Sequence, residues 1–306
     1  MYRFVAKRLL ILVPVLLIAS LLVFSLLHIA PGDPAQLAAG PLAPPEEVER
    51  MRVTLGLNDP FHVQFGRWLG NVTRGDFGVS WRTGEPVFKM IVDRLPATLE
   101  LMITAMLISL AIGIPLGIIA ALRRRTWVDY TCTTVSLFGL SMPNFWQGLM
   151  GILVFSVWLG WLPISGHGTI AHLILPAAVL GTSFAAMIAR LTRSSMLEVL
   201  EQDYIRTARA KGLKERTVIY KHALKNALIP IVTMFTLRLP WLFSGTVVIE
   251  TVFAWPGMGR LMINSVLMRD FLVIQGILLI FIIMVVISNM LGDLLYAHLN
   301  PKVRYG

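Results

Sequence analysis

The stretch VIQGILLIFIIMVVISNML, residues 273–291, contains no charged side chain. The hydrocarbon core of a bilayer is about 30 Å thick, so a helix needs about 20 mostly apolar residues to cross it. Residues 273–291 come close to that length and continue into further apolar positions. The stretch therefore predicts a membrane-spanning helix.

Five other stretches with the same character precede it. The six predicted spans are residues 9–29, 97–122, 130–159, 173–189, 227–249 and 272–297. The chain of 306 residues is 56% hydrophobic and 14% charged, whereas soluble domains average roughly 45–50% and about 25%. We therefore predict an all-α membrane protein with six transmembrane helices, forming a single transmembrane domain over residues 1–306.

The first span begins, like a secretory signal, with the basic residues Arg3, Lys7 and Arg8. Its apolar run of about 21 residues is longer than the 7–15 residues usual in a signal peptide. We expect it to be retained as a true span.

The basic residues indicate how the chain is oriented. If the N-terminus is cytoplasmic, 17 of the 27 Lys and Arg residues lie in cytoplasmic segments, nine of them between residues 190 and 226. Such an excess is typical of cytoplasmic loops. Both termini are therefore predicted in the cytoplasm, and residues 30–96 outside as a small structured cap. In this cap we expect a helix starting at Pro44–Pro45 and an ordered irregular loop near Asp76–Trp81.

Motifs of enzymes and metal sites are absent from the sequence. It has no G-x-x-x-x-G-K-[ST], H-E-x-x-H, C-x-x-C or G-x-S-x-G motif. His167 and His172 share a short outer loop, which is a weak metal signal. The net charge of +10 is explained by the basic loops, so no nucleic-acid partner is expected. We predict no catalytic residue and no metal site.

The most basic stretch is DYIRTARAKGLKERTVIYKHALKNALIP, residues 203–230. Apolar or small residues at Leu197, Leu200, Tyr204 and Ala208 predict a helix over residues 197–210. Gly212 breaks this helix, and a second helical pattern then runs directly into the fifth predicted span. Physical considerations alone leave two interpretations: the segment rests on anionic lipid headgroups, or it docks a soluble partner.

The same stretch resembles the cytoplasmic loop in the membrane subunits of bacterial ATP-binding-cassette (ABC) importers. That loop carries an E-A-A-x-x-x-G pattern and fits a cleft on the ATPase subunit. The resemblance assigns Thr207, Ala208 and Arg209 to the E-A-A element and Gly212 to its glycine. It thus implies a coupling loop over residues 190–226. The coupling residues that it implies are Tyr204, Thr207, Ala208, Arg209, Gly212, His222, Leu224 and Asn226.

Motifs along the rest of the chain extend the resemblance. HIAPGDPA, LGLNDP, GDFGVS, LPATLEL, SMPNFW and VFAWPGMGR are similar to the first of the two permease subunits in di- and oligopeptide importers and their glutathione and nickel relatives. The resemblance implies a multi-pass protein of the bacterial inner membrane. Its implied partners are membrane lipid, a second homologous permease, two cytoplasmic ATPases and an extracytoplasmic solute-binding protein. ATP and Mg would bind to the ATPases, so no cofactor is expected in this chain.

The motifs do not identify the solute. A short peptide is expected, while glutathione and a nickel chelate remain alternatives. A stand-alone secondary transporter would predict paired broken helices in two inverted halves, a pattern that we do not find. A membrane anchor without a pathway would have no use for a charge inside a span.

Such a charge is Arg238, about midway along the fifth span in TMFTLRLPWLF. A charge at that depth costs on the order of 2.5–3.5 kcal/mol on insertion scales, so it should face the protein interior or water. One hypothesis is that Arg238 lines the solute pathway and attracts a carboxylate of the solute. The other is a structural ion pair with Glu250, Glu100 or an acid on the second permease. Glu100, Glu250 and Asp293 are themselves expected at the membrane interface.

Overall fold

The computed structural model describes residues 2–29, 31–40 and 42–299. In this part of the chain the regular structure is helical, and an isolated β-bridge joins Val79 and Pro86. The contacts divide the chain into two compact units. The first comprises Met1–Pro96 and Gly257–Val286, and the second comprises Ala97–Pro256 and Ile287–Gly306.

Thirteen α-helices and two π-helical segments follow one another among the described residues. The α-helices are α1 (Tyr2–Ile29), α2 (Pro34–Ala39), α3 (Pro45–Thr54), α4 (Phe61–Val72), α5 (Val87–Leu122), α6 (Trp127–Ser141), α7 (Asn144–Gly151), α8 (Ile170–Leu200), α9 (Asp203–Ala210), α10 (Glu215–Thr217), α11 (Leu224–Val252), α12 (Met258–Met268) and α13 (Phe271–Leu299). The π-helical segments are Ile152–Trp158, after α7, and Val218–Ala223, between α10 and α11.

Four of these helices, α1, α5, α8 and α13, are long and apolar enough to cross a bilayer unaided. Two bent pairs reach the same length and composition when each pair counts as one span. These pairs are Trp127–Gly139 with Asn144–Trp158, and Glu215–Phe235 with Pro240–Val252. By length and composition, the described residues thus contain four candidate spans, or up to six with the bent pairs. The all-helical prediction is confirmed.

The bends have local causes that the apolar pattern does not reveal. The first pair is bent by 101° at Met142, whose backbone is extended at ψ 127°. Met142 precedes Pro143, and a residue before proline is disfavoured in helical conformation. The second pair is bent by 62° next to Pro240, which cannot donate the backbone hydrogen bond of a regular helix.

The cap segment folds as its turn and helix signals predict. Helix α3 begins at Pro45 with Glu46 and Glu47 in its first turn, where a proline and negative charges suit a helix start. The loop near Asp76 is irregular but held in place, because the Asp76 carboxylate accepts a hydrogen bond of 2.9 Å from the Gly78 amide. Both predictions for the cap are confirmed.

Helices α5 and α8 approach to backbone contact inside the second unit. Gly113 and Gly117 lie one turn apart on α5. A Cβ atom at Gly117 would lie 2.6 Å from the Ala189 carbonyl oxygen and 2.4 Å from Cβ of Thr192. On α8, a Cβ atom at Gly181 would lie 2.7 Å from the Ala105 carbonyl oxygen. Small residues spaced by four let membrane helices pack this closely.

Candidate coupling site

The segment between α8 and α11 is the candidate coupling site. Helix α8 ends at Leu200, and α9 begins at Asp203 after an extended Gln202 (ψ 148°). The prediction of one helix over residues 197–210 was therefore wrong. The break reorients α9 so that its apolar side chains, Ile205 and Ala208, are buried against neighbouring helices.

Gly212 forms the second bend of this segment, as predicted. Its φ of +73° lies in the left-handed region, which glycine adopts without the steric cost that other residues meet. A Cβ atom at this position would have no neighbour within 4 Å. The requirement for glycine is therefore set by the backbone conformation.

The coupling segment is packed on the ends of the long helices through a buried apolar cluster. Its buried members are Ile118, Ala121, Met196, Ile205, Ala208, Val218, Ile219, Ala223 and Ala227. They come from α5, α8, α9, the second π-helical segment and α11, all within the second unit. Because burial of apolar surface stabilises this arrangement, α9 is held to the three long helices.

Polar contacts tie the two arms of the segment together. The Tyr204 hydroxyl accepts a hydrogen bond of 2.7 Å from the Asn226 side chain at the start of α11. Arg209 donates two hydrogen bonds, of 2.7 and 3.2 Å, to the Glu215 carboxylate across the Gly212 bend. These bonds raise the pKa of the Arg209 guanidinium above its ordinary value. Both side chains are about half exposed, so this pair adds little stability.

The predicted coupling residues differ in exposure. Exposed members of the set are Tyr204, Thr207, Arg209, Gly212 and Asn226, while His222 and Leu224 are half-buried. Ala208 is only 7% exposed and belongs to the buried cluster. The structure brings together Tyr204, Asn226 and the backbone of His222, whose carbonyl oxygen lies 3.5 Å from the Tyr204 hydroxyl.

The register of the E-A-A-x-x-x-G pattern needs a correction. The glutamate of that pattern precedes the glycine by six residues, and six residues before Gly212 is Arg206. Thr207 and Ala208 then take the two alanine positions, so the predicted assignment was one residue too far along. Arg206 is exposed on α9, with its Nη1 atom 3.7 Å from an Asp203 carboxylate oxygen.

Two ion pairs next to the coupling segment were not predicted from the sequence. Arg193 on α8 donates hydrogen bonds of 2.6 and 2.7 Å to the two carboxylate oxygens of Asp129 on α6. Asp129 is 3% exposed and also accepts a bond of 3.0 Å from the Arg125 amide. Arg124 forms an exposed pair of 2.8 Å with Glu201. Nothing in the local pattern links partners so far apart in sequence.

The predicted pathway residue, Arg238, has a side chain outside the described part of the structure, as does Asp293. The expectation that Glu250 lies at the interface was wrong, because Glu250 is 0% exposed and accepts a hydrogen bond of 2.7 Å from the Thr98 hydroxyl. Glu100 lies 3.0 Å from the His167 ring. Among the described residues, no three His, Cys, Asp or Glu side chains are grouped as a metal site.

Comparisons with known proteins agree with this architecture. Residues 113–305 match the family described as binding-protein-dependent transport system inner membrane component, and residues 1–102 match its N-terminal counterpart. The chain is 47% identical over 305 residues to the glutathione transport system permease protein GsiC of Escherichia coli K12, with full coverage of both chains. It is 45% identical over 316 residues to the oligopeptide transport system permease protein AppB of Bacillus subtilis 168, again with full coverage.

Solved structures share the fold. An inward-facing structure of the MetNI methionine ABC transporter matches with a TM-score of 0.60 and 20% identity, covering 69% of this chain and 96% of that chain. At this identity the likeness concerns the fold alone. The family matches and the full-length relatives cover nearly every residue. The chain therefore belongs to the binding-protein-dependent transport system inner membrane components, as a multi-pass inner-membrane permease in the peptide branch of the ABC importers.

Proposed function

We propose that the chain is one of two membrane-spanning subunits of an ATP-driven importer for short peptides. Relatives named for oligopeptide and glutathione transport, at 45% and 47% identity over the full chain, support this solute class. Glutathione is itself a modified tripeptide, so it is the second candidate within the class.

Our proposal for how transport is driven is based on the coupling segment. It offers the exposed residues of α9 on one side and buries the other side against α5, α8 and α11. In the proposed assembly, one of two cytoplasmic ATPases binds this exposed side, and ATP and Mg are held by those ATPase subunits. A second homologous permease completes the membrane part, and an extracytoplasmic protein delivers the solute.

The physical mechanism follows from how firmly α9 is attached. When the ATPases close on ATP, their different contacts with α9 in the two states favour one arrangement of the membrane helices over the other. Because α9 shares a buried cluster with three long helices, its displacement moves those helices as a body. The chain itself supplies no catalytic residue.

We also infer the orientation of the chain and its domain organisation. The excess of Lys and Arg in residues 190–226 supports a cytoplasmic coupling loop, cytoplasmic termini and an outer cap over residues 30–96. That residues 1–306 form a single permease domain stays a prediction.

Cross-linking tests the coupling proposal. In a Cys132→Ala background, Arg206→Cys on the exposed side of α9 should cross-link to the ATPase through a bifunctional maleimide, with a yield that changes on ATP binding. Val53→Cys, which is exposed on cap helix α3, is the matched control and should give no such product. The same complex in proteoliposomes should import labelled dipeptide or glutathione only when ATP is supplied to the ATPase.

Two results would contradict this account. Equal cross-linking from the α9 and α3 positions would remove the proposed docking surface. Uptake that continues without the ATPase would favour a stand-alone secondary transporter instead.

Arg238 remains our candidate for a solute-contacting residue. Its position two residues before Pro240, next to the bend of the fifth span, supports a role in the pathway. Replacing Arg238 with Gln should lower uptake of anionic peptides about tenfold or more relative to neutral ones, since a charged hydrogen bond contributes about 1.5–3 kcal/mol. If the rate and the preference both stay unchanged, a structural ion pair is the better explanation.

A further inference from the structure

A turn over residues 123–126 joins α5 to α6 inside the second unit. Residues 101–122 before the turn contain no charged side chain, and neither do residues 130–158 after it. The exposed apolar surface of α5 continues to the end of the helix, where Ile119 and Leu122 are each 42% exposed. Both uncharged stretches are long enough to cross a bilayer. Because both end at this turn, we expect it at the membrane surface, at the level of the lipid headgroups.

Two of the three arginines in this turn are available to a ligand. Arg123, Arg124 and Arg125 are all exposed, but Arg124 is engaged by the Glu201 carboxylate at 2.8 Å. Neither Arg123 nor Arg125 has an ion-pair partner among the residues that the structure describes. A guanidinium group suits a phosphate because its planar N–H donors match the phosphate oxygens. The turn therefore offers two free cations to an anion of this kind.

The backbone of the turn is fixed by its own hydrogen bonds. Arg125 has a φ of +61°, in the left-handed region that residues with side chains adopt uncommonly. Its amide donates a hydrogen bond of 3.0 Å to the Asp129 carboxylate, which Arg193 holds in turn. The Thr126 hydroxyl donates one of 2.6 Å to the Arg123 carbonyl. A surface that is ordered before it binds loses less entropy on binding.

Two exposed aromatic side chains follow the arginines at the start of α6. Trp127 is 76% exposed and Tyr130 is 64% exposed. Trp and Tyr at the end of a span are typical of the headgroup level of a bilayer, and basic residues at this level attract anionic lipids. We infer that this corner, residues 123–130, binds the headgroup of an anionic phospholipid, whose phosphate is held by Arg123 and Arg125. The inference does not depend on which solute is imported.

Photo-cross-linking tests the inference. The complete importer carries benzoylphenylalanine in place of Trp127, in nanodiscs with equal amounts of phosphatidylglycerol and phosphatidylcholine, and mass spectrometry counts the two lipid adducts. Phosphatidylglycerol adducts should be about fivefold or more in excess, because each basic residue near the surface strengthens the attraction. Trp158 is the matched control position: it is 71% exposed, and residues 126–189 contain no Lys or Arg. Benzoylphenylalanine there should give nearly equal adducts.

Charge variants identify the groups that are responsible. Arg123→Gln with Arg125→Gln should bring the adduct ratio at position 127 down to the ratio at position 158. The backbone amide that Asp129 accepts is kept in this variant. Arg50→Gln with Arg74→Gln removes the same net charge from exposed positions of the cap and should leave the ratio unchanged. In the parent complex, high salt should lower the ratio at position 127 towards one, because salt screens exposed charges.

Three results would overturn the inference. The first is an equal adduct ratio at positions 127 and 158, and the second is a ratio at position 127 that high salt does not lower. The third is a ratio that stays the same in the variant without Arg123 and Arg125. If that variant also lost the ATPase during purification, the corner would be identified as a protein interface.

Discussion

Replacing Arg193 with methionine should lower the free energy of unfolding of this permease by about 3–5 kcal/mol, the largest single effect that we expect. The Asp129 carboxylate is 3% exposed. Among the described residues, the change leaves the Arg125 amide, at 3.0 Å, as its remaining hydrogen-bond donor. A buried charge without its counter-charge is far more costly than the pair itself. Denaturant titration of the purified chain in detergent measures the difference.

The neighbouring ion pair supplies the control. Arg124 and Glu201 are 49% and 68% exposed, so Arg124→Met should change stability by at most about 1 kcal/mol. Adding Asp129→Leu to Arg193→Met should recover much of the loss, because an apolar pair can replace a buried ion pair. Equal losses from the Arg193 and Arg124 variants would show that burial of Asp129 does not govern stability here.

The second large effect is expected at Gly117, where alanine should destabilise the chain by about 1–3 kcal/mol. The added methyl group would lie 2.4 Å from Cβ of Thr192 and 2.6 Å from the Ala189 carbonyl oxygen. One of these atoms belongs to the α8 backbone, which a rotamer change cannot move aside. Helices α5 and α8 must therefore separate. The measurement is again the free energy of unfolding.

Gly139 on α6 is the matched control. A Cβ atom there would lie 3.6 Å from Cβ of Ala186, an ordinary packing distance, so Gly139→Ala should be neutral or stabilising by up to about 1 kcal/mol through helix propensity. A Gly117→Ala variant as stable as Gly139→Ala would disprove the close approach of α5 and α8.

Features that depend only on residues close together in the sequence could be predicted from it. The apolar runs, the start of α3 at Pro45 and the helix break at Gly212 all follow from local preferences for burial and backbone angle. The resemblance of residues 203–230 to a known loop led to the prediction of the coupling segment. The bend at Met142 was missed because the apolar run continues past it. The break at Gln202 was missed because the helical spacing of Leu200 and Tyr204 continues across it.

By itself, the sequence determined the class of the fold and the approximate spans, and it led to the prediction of a coupling segment. The tertiary structure alone decided that Ala208 is buried, that Asp129 pairs with Arg193 and that Gly117 packs against α8. The physical reason is the range of the interactions. Hydrophobic length and turn preferences act within a few residues, whereas partners 64 positions apart, as in the ion pair, are chosen only when the helices pack.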